Sequence, residues 1–404
     1  MLNPQNDASG LRLAPKRAMT LVLMTAVIIA AGLAHAQTFT VLYSFKGEPN
    51  DGAGPLAGLI EDTAGNLYGT TQAGGPANSG TVFKLDQAGN ETILYTFTGG
   101  SDGGFPEYGS LLRDPAGNLY GTTLEGGAAS YGTVFRVSKT GKETVLHSFP
   151  RNQNDGEGPT AGLLPISRQI AVGTTESGGA FRSGCQGVGC GTVFELDASG
   201  REKVLYSFTG GTDGSVPLGG LVEDRQGNLY GTTNLGGMFG LGTVFKLNRK
   251  GNETVLHSFA GSPTDGEYPI AGLVLDGEGN LYGTTPYGGP AFEGTIFKVD
   301  STGNETVLYS FIGYPNDGEF PYAALVRDTQ GNLYGTTQSG GANNFGTVFE
   351  LSSTSKETVL HNFVYFTDGA NPYGSLIRDL AGNLYGTTST AGPACCGTVF
   401  KLTP

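Results

Sequence analysis

Residues 228–247 read Asn228-Leu-Tyr-Gly-Thr-Thr233, then a glycine-rich loop, then Gly242-Thr-Val-Phe-Lys-Leu247. Both runs combine β-branched and aromatic residues, and Gly and Asn bound them, which is typical of strands. A loop with this much glycine favours tight backbone turns, because glycine tolerates positive φ. The segment therefore predicts two neighbouring β-strands joined by a loop.

The flanking sequence adds one strand on each side. Upstream, the short apolar run 220–223 precedes the turn Asp224-Arg-Gln-Gly227. Downstream, the turn 248–251 leads into Asn252-Glu-Thr-Val-Leu-His-Ser-Phe259. The Asp-x-x-Gly-Asn pattern fits a hairpin with glycine in a left-handed position. Residues 220–259 therefore predict one sheet of four short antiparallel strands.

This unit recurs seven times along the chain. The glycine of Tyr-Gly-Thr-Thr, or of a close variant, is Gly69, Gly121, Gly173, Gly231, Gly283, Gly335 and Gly386. Gly-Thr-Val-Phe or Gly-Thr-Ile-Phe begins at Gly80, Gly132, Gly191, Gly242, Gly294, Gly346 and Gly397. The Val-Leu-Tyr-Ser-Phe type begins at Val41, Ile93, Val145, Val204, Val255, Val307 and Val359. Four strands per unit of about 50 residues are typical of a propeller blade.

The two ends of the repeat region complement each other. Residues 38–45 form a fourth-strand sequence without its first three strands, and residues 397–402 form a third-strand sequence without its fourth. Joining them completes a seventh blade and removes the open sheet edges. We predict an all-β, seven-bladed β-propeller over residues 37–404 that the N-terminal strand closes. A linear β-solenoid is the alternative.

The N-terminus carries the pattern of a signal peptide. Arg12, Lys16 and Arg17 precede the apolar stretch 18–33, and Ala34-His-Ala36 matches a small-x-small cleavage site. We expect residues 1–36 to be removed and the mature protein to be secreted or extracytoplasmic, with no membrane span; an uncleaved anchor is the alternative. The chain ends at Pro404 directly after a predicted strand, so no C-terminal surface anchor is expected.

The net charge limits which partners the protein can bind. The net charge of −13 argues against nucleic acid, because phosphate binding needs clustered Lys and Arg. The same net charge favours a soluble monomer.

All four cysteines lie in the exported part, where an even number favours disulfides. Cys185 with Cys190 is the most plausible local pair; Cys395 with Cys396 requires a vicinal bond, and metal binding is less favoured because no histidine is near.

Aspartates recur in the loop between successive units. They are Asp51, Asp102, Asp155, Asp213, Asp265, Asp317 and Asp368. Each belongs to an Asp-Gly turn with a proline shortly after, so a structural turn is the favoured interpretation. Calcium binding is the weaker alternative, and otherwise no cofactor is predicted. His147, His257 and His361 replace a fourth-strand tyrosine in three units, too far apart to form one metal site.

Departures from the repeat carry the candidate binding residues. The third unit has a longer, cysteine-bearing loop, and aromatic side chains vary among the equivalent loops. Exposed aromatics on a glycine-rich face favour sugar stacking or protein contact, whereas filling gaps between blades is the structural alternative. The candidates are Tyr131, Phe181, Arg182, Phe239, Tyr287, Phe292 and Phe345.

The motif Gly-Asn-Leu-Tyr-Gly-Thr-Thr, followed by Gly-Thr-Val-Phe-Lys-Leu, resembles the bacterial GloVer tandem-repeat family. The resemblance covers residues 38–404 and implies export and a propeller-like repeat, without implying an activity. No nucleophile or metalloprotease motif is present. We therefore expect a non-enzymatic binding propeller for a glycan or an envelope protein. An extracytoplasmic lactonase, hydrolase or lyase acting at the axial mouth is the alternative, and a structural envelope component is a third possibility.

Overall fold

The computed structural model describes residues 37–151, 155–165, 171–182, 184–197 and 199–403. The predicted signal peptide, residues 1–36, lies outside these residues. No helix occurs in the described part of the chain, and in particular none that is long and apolar enough to cross a membrane.

The strands form seven antiparallel blades, which confirms the predicted fold class. The following ranges run from the innermost to the outermost strand of each blade. They are Ile60–Glu61, Leu67–Thr71, Thr81–Leu85 and Glu91–Thr96 in blade 1; Leu112–Arg113, Leu119–Thr123, Thr133–Val137 and Glu143–Ser148 in blade 2; Ala171–Thr175, Thr192–Leu196 and Glu202–Ser207 in blade 3; Val222–Glu223, Leu229–Thr233, Thr243–Leu247 and Glu253–Ser258 in blade 4; Val274–Leu275, Leu281–Thr285, Thr295–Val299 and Glu305–Ser310 in blade 5; Val326–Arg327, Leu333–Thr337, Thr347–Leu351 and Glu357–Asn362 in blade 6; and Ile377–Arg378, Leu384–Thr388, Thr398–Thr403 and Thr38–Ser44 in blade 7. In blade 3 an isolated bridge between Leu164 and Val172 takes the place of the innermost strand.

The N-terminal strand closes the ring as predicted. Thr38–Ser44 runs antiparallel to Thr398–Thr403, with Thr38 opposite Thr403 and Ser44 opposite Thr398. The Phe45 amide donates to the Gly397 carbonyl at 3.0 Å. The outermost strand of blade 7 therefore comes from the N-terminal end of the chain, while its other three strands come from the C-terminal end. The closed ring leaves no blade without a neighbour.

Glycine in the second strand lets an aromatic ring enter each blade. A Cβ on Gly231 would lie 2.8 Å from the Phe245 ring and 2.8 Å from Leu221. Phe245 is fully buried. Phe208, which directly follows the outermost strand of the preceding blade, meets its ring edge to face at a centroid distance of 5.1 Å. The same packing joins every neighbouring pair of blades, at 5.0–5.3 Å. The repeated Gly and Phe therefore form the contacts that stack one blade on the next.

The paired threonines of the repeat have two separate roles. In five blades the hydroxyl of the first threonine donates to a backbone carbonyl of the next blade, as Thr232 does to Ala271 at 3.1 Å. In blades 1 and 6 the corresponding hydroxyls, of Thr70 and Thr336, have no hydrogen-bond partner among the described residues. The second lies fully buried between strands, where Thr233 and Thr243 share a hydrogen bond of 2.8 Å. All seven blades have this buried Thr–Thr pair.

We expect Thr233→Val to lower the free energy of unfolding by about 1–3 kcal/mol, because it leaves the buried Thr243 hydroxyl without its partner. Thr254→Val is the matched control, since Thr254 is exposed on the outermost strand of the same blade. Urea denaturation of both variants measures the difference. Equal stability of the two variants would refute the assigned role of the pair.

The Asp-x-x-Gly-Asn turns are hairpins, as predicted. Asp224 accepts hydrogen bonds from the Asn228 side chain at 2.7 Å and from the Tyr230 hydroxyl at 2.9 Å. The carboxylate thereby closes its own turn, and these bonds lower its pKa against the effect of burial. The equivalent aspartates are Asp62, Asp114, Asp276, Asp328 and Asp379. We call the side of the ring that carries these turns the turn face.

Candidate functional site

The side of the ring opposite the turn face is built from two kinds of loop. Blade-to-blade loops join an outermost strand to the next innermost strand, and wide loops join the second strand to the third. The two kinds pair with each other in short ladders, for example Gly52–Ala53 with Ala73–Gly74. Equivalent pairing recurs between Gly266–Glu267 and Tyr287–Gly288. We call this side the loop face.

Exposed apolar side chains concentrate on the loop face. Among the described residues, every large hydrophobic side chain that is exposed belongs to this face except Leu380, which lies in a turn-face hairpin. The set comprises Tyr108, Phe181, Val188, Leu235, Met238, Phe239, Tyr287, Phe292, Ile312, Tyr314, Val364, Tyr365 and Phe366. A concentration of exposed apolar side chains on one side of a protein is typical of an interaction surface.

A pocket of about 840 Å³ opens on the loop face at blades 2, 3 and 4. The wide loops of these three blades and the two intervening blade-to-blade loops supply its lining. Tyr131, Arg151, Glu125, Glu176 and Gln186 are among the lining residues. Pockets that hold small ligands have volumes of about 300–1,000 Å³, so this one has the size of a binding site.

Charged groups in and around the pocket are held by defined partners. Arg151 lies over the Tyr131 ring, 5.7 Å from its centroid, and donates to the Tyr131 hydroxyl at 3.2 Å. Arg182 lies 2.5 Å from the buried carboxylate of Glu157. Burial, together with the carboxylate of Glu107, raises the pKa of Glu176. The pocket therefore combines an aromatic ring with hydrogen-bonding groups of both charges.

A disulfide shapes one wall of this pocket. Cys185 and Cys190 are bonded, as the sequence predicted, and Cys185 contributes to the lining. Cys190 is fully buried in a cluster with Val193 and Phe208, while Cys185 packs against that cluster. The bond therefore fixes the long wide loop of blade 3 to the core.

The predicted aromatic residues do not form one site. Tyr131 lines the pocket, whereas Arg182 contributes indirectly by binding Glu157. Phe181, Phe239 and Phe292 are exposed on the wide loops of blades 3, 4 and 5.

Two other predicted aromatics pack against neighbours outside the pocket. Tyr287 hydrogen-bonds the Tyr322 hydroxyl at 3.0 Å, and Phe345 packs on Tyr365 at 5.1 Å. Arg151, Glu125 and Glu176 line the pocket but were not among the residues predicted from the sequence. The only sequence feature that could have indicated them is their departure from the repeat.

The seven loop aspartates are distributed one to each junction between blades. Asp51 accepts from the Tyr43 hydroxyl at 2.8 Å and from the Lys46 amide at 2.8 Å, and its other oxygen accepts from the Gly52 amide at 2.7 Å. Asp102, Asp213 and Asp317 bind a tyrosine in the same way. At Asp155, Asp265 and Asp368 a histidine faces the carboxylate instead. The fold does not bring the seven carboxylates together, and nothing in the structure tests calcium binding, the weaker alternative to a structural turn.

The axis of the ring holds a narrow channel of about 260 Å³. Small and apolar residues of the innermost strands line it, together with Tyr108, Tyr322, Tyr373, Ser110 and Ser375. Among the described residues that line it, none is Asp, Glu, His, Lys or Arg. A serine nucleophile needs a neighbouring base, and this lining does not supply one.

Three arginines that end innermost strands pack against the neighbouring blade. Arg113 lies over the Tyr68 ring at 5.7 Å, Arg327 over Tyr282 at 5.5 Å and Arg378 over Tyr334 at 5.7 Å. Each arginine thus contacts a ring of the preceding blade.

The remaining cysteines form a vicinal disulfide. Cys395 and Cys396 are bonded to each other on the wide loop of blade 7. The Cys396 amide donates to the Phe45 carbonyl at 3.3 Å, so the bonded pair lies against the closing strand. The sequence left this pairing open.

Comparison with solved structures places the fold among known propellers. The chain is 13% identical to the extracellular domain of a protein assigned as a hybrid two-component system of B. thetaiotaomicron, with a TM-score of 0.54 over 91% of this chain and 41% of that chain. It is 11% identical to the extracellular domain of a protein assigned as a one-component system of the same organism, with a TM-score of 0.57 over 90% and 40%. A protein of Bacteroides uniformis assigned as a 6-phosphogluconolactonase is 14% identical, with a TM-score of 0.50 over 81% and 87%.

These identities show the shared fold alone. The chain spans about two fifths of the length of the first two proteins. No curated protein sequence matches it. The profile of the Gloeobacter/Verrucomicrobia repeat, however, matches residues 29–186 and 183–400. Together with the seven repeats seen in the fold, this match shows that the chain belongs to the Gloeobacter/Verrucomicrobia repeat family.

Proposed function

We propose that this protein is an extracytoplasmic, non-enzymatic binding propeller that holds a saccharide in the loop-face pocket at blades 2, 3 and 4. The pocket carries the proposal, because its lining comes from the segments that depart most from the repeat. Two observations support an extracytoplasmic site of action. Two proteins of similar fold are extracellular domains, and this chain contains two disulfides.

The chemistry of the lining favours a saccharide. Sugar rings present an apolar face that packs on aromatic rings, and their hydroxyls both donate and accept hydrogen bonds. Tyr131 supplies a ring, Arg151 supplies donors, and Glu125 and Glu176 supply acceptors. The volume of about 840 Å³ lies within the range of pockets that hold small ligands.

The enzyme alternative has weaker support. It places catalysis at the axial mouth, where the channel has serines and tyrosines and the described lining includes no carboxylate, imidazole or amine. The Ser375 hydroxyl already accepts a hydrogen bond from the Ala324 amide at 3.1 Å. Hydrolysis of a lactone or glycoside needs a general base, and none of the described lining residues is a carboxylate, an imidazole or an amine.

We expect Tyr131→Ala to weaken saccharide binding at least tenfold, because it removes the ring and releases Arg151. A glycan array with the mature chain identifies the ligand, and titration calorimetry then measures the affinity of each variant. Tyr131→Phe keeps the ring and should retain most of the affinity.

The control variant is Phe292→Ala, which removes an exposed aromatic of the same face outside the pocket. It should bind like the wild type. If no saccharide on the array binds, or if Phe292→Ala weakens binding while Tyr131→Ala does not, the proposed site is wrong. Thermal unfolding of each variant separates loss of the site from loss of the fold.

A further inference from the structure

A set of three side chains recurs at the junctions between blades, on the outer rim of the ring. A tyrosine or histidine of one outermost strand faces the loop aspartate, and a glutamate that begins the next outermost strand lies on the other side. In four junctions the ring is a tyrosine, as in Tyr206, Asp213 and Glu253. Two junctions carry histidine, aspartate and glutamate together.

These two junctions bring three metal-binding side chains into one cluster. His147, Asp155 and Glu202 form the first cluster, and the second consists of His257, Asp265 and Glu305. In each cluster the three ligand atoms lie within 4.8 Å of one another. The sequence predicted that the three histidines lie apart, but it could not show that His147 and His257 each meet two carboxylates.

The first cluster has the spacing of a metal site. His147 Nε2 lies 3.3 Å from Asp155 Oδ2, and among the described residues it has no hydrogen-bond partner although it is buried. Zinc bonds of about 2.0–2.1 Å place tetrahedral ligands about 3.3–3.4 Å apart. In the second cluster the corresponding distance is 3.0 Å, and there the imidazole and the carboxylate share a hydrogen bond.

The local sequence also removes a competing donor at Asp155. At five equivalent junctions the aspartate Oδ2 accepts from the backbone amide that follows the buried phenylalanine, for example from Ala260 to Asp265 at 2.8 Å. In blade 2 that position is Pro150, which has no amide hydrogen. The Glu202 Oε1 atom is buried and likewise lacks a hydrogen-bond partner within the described chain. The three side chains thus place ligand atoms within 4.8 Å of one another, and two of them carry a buried atom that has no hydrogen-bond partner in the described chain.

The third histidine provides a natural control. His361 lies 2.7 Å from Asp368, a hydrogen-bond distance. Phe39 occupies the place of the glutamate at this junction, and its ring stacks on the imidazole at 3.8 Å. Among the residues that the structure describes, this junction therefore offers two ligands, His361 and Asp368.

We propose that the His147–Asp155–Glu202 cluster binds a zinc-like divalent transition metal ion, and that the His257–Asp265–Glu305 cluster forms a second site of the same kind. The imidazole nitrogen and the two carboxylates supply three ligands, and water completes the coordination. Each ion links two neighbouring blades. This function is separate from the saccharide site and does not depend on it.

Titration of the mature chain with cobalt and with zinc tests the proposal. The protein carries no polyhistidine tag and is treated with a chelator beforehand. We expect saturable binding of two equivalents, with the visible absorption of low-coordinate cobalt. His147→Tyr and His257→Tyr each restore the side chain found at the other junctions, so both variants should fold and each should lose one equivalent.

The controls separate the sites from surface binding. His361→Tyr should retain both equivalents, and Glu202→Gln should weaken binding at the first site at least tenfold. The absence of saturable binding would overturn the proposal. The proposal would also be overturned if the double variant His147→Tyr and His257→Tyr still bound two equivalents of metal. Loss of a metal equivalent in His361→Tyr would likewise contradict it.

Discussion

Deletion of residues 37–46 is expected to abolish the folded propeller. These residues supply the outermost strand of blade 7 and the fully buried Phe45, whose ring meets Phe83 of blade 1 at 5.1 Å. Without them the strand Thr398–Thr403 has an unpaired edge and the ring has an open junction. The burial and backbone pairing are lost from a fold whose total stability, in a typical domain, is only about 5–15 kcal/mol. Circular dichroism and size-exclusion chromatography measure the loss.

Two further variants show whether closure is responsible. A chain that begins at residue 47 and carries residues 37–46 after residue 403, joined through an Asp-x-x-Gly-Asn turn, keeps every strand and should fold. Phe45→Ala should lower the free energy of unfolding by about 3–5 kcal/mol, whereas Phe366→Ala, at an 80% exposed position, should change it little. A stable deletion variant would contradict the closed ring.

Raising the pH from 5.5 to 8.5 is expected to destabilise the protein. Glu91, Glu143, Glu253 and Glu357 begin outermost strands beside a loop aspartate, at the four junctions that carry tyrosine. Burial, and then the charge of that aspartate, raises the pKa of each glutamate to about 7. The folded state therefore holds more protons than the unfolded state between about pH 4.5 and 7.

The direction of this pH effect follows from the linkage between proton binding and folding. Because the pKa is raised in the folded state, the protonated form stabilises the fold, and that stability is lost as the pH rises through 7. After allowance for partial exposure, we expect about 1 kcal/mol for each of the four groups. Urea denaturation at several pH values, with a chelator present, measures it.

A single substitution isolates one of these glutamates. Glu91→Gln should be more stable than the wild type at pH 8.5 and should show a smaller pH dependence, and Glu278→Gln is the exposed control. Stability that stays constant or increases between pH 5.5 and 8.5 would refute the assignment. Below about pH 4 the turn-face aspartates, with Asp62 at a pKa of about 2, act in the opposite direction.

The sequence by itself determined the seven blades, the closing strand and the Cys185–Cys190 bond. Each of these rests on a local pattern that repeats or on residues that are close along the chain, so periodicity reveals it. Gly231 and Phe245, for example, recur because every blade needs the same contact with its neighbour.

Only the tertiary structure decided which variable residues meet. Tyr131, Arg151 and Glu176 belong to different loops, and their approach depends on how blades 2, 3 and 4 stack. The same stacking brings Glu202 to His147 and Asp155. Sequence patterns describe one blade at a time, whereas binding pockets and ion sites form between blades, where loop length and packing set the distances.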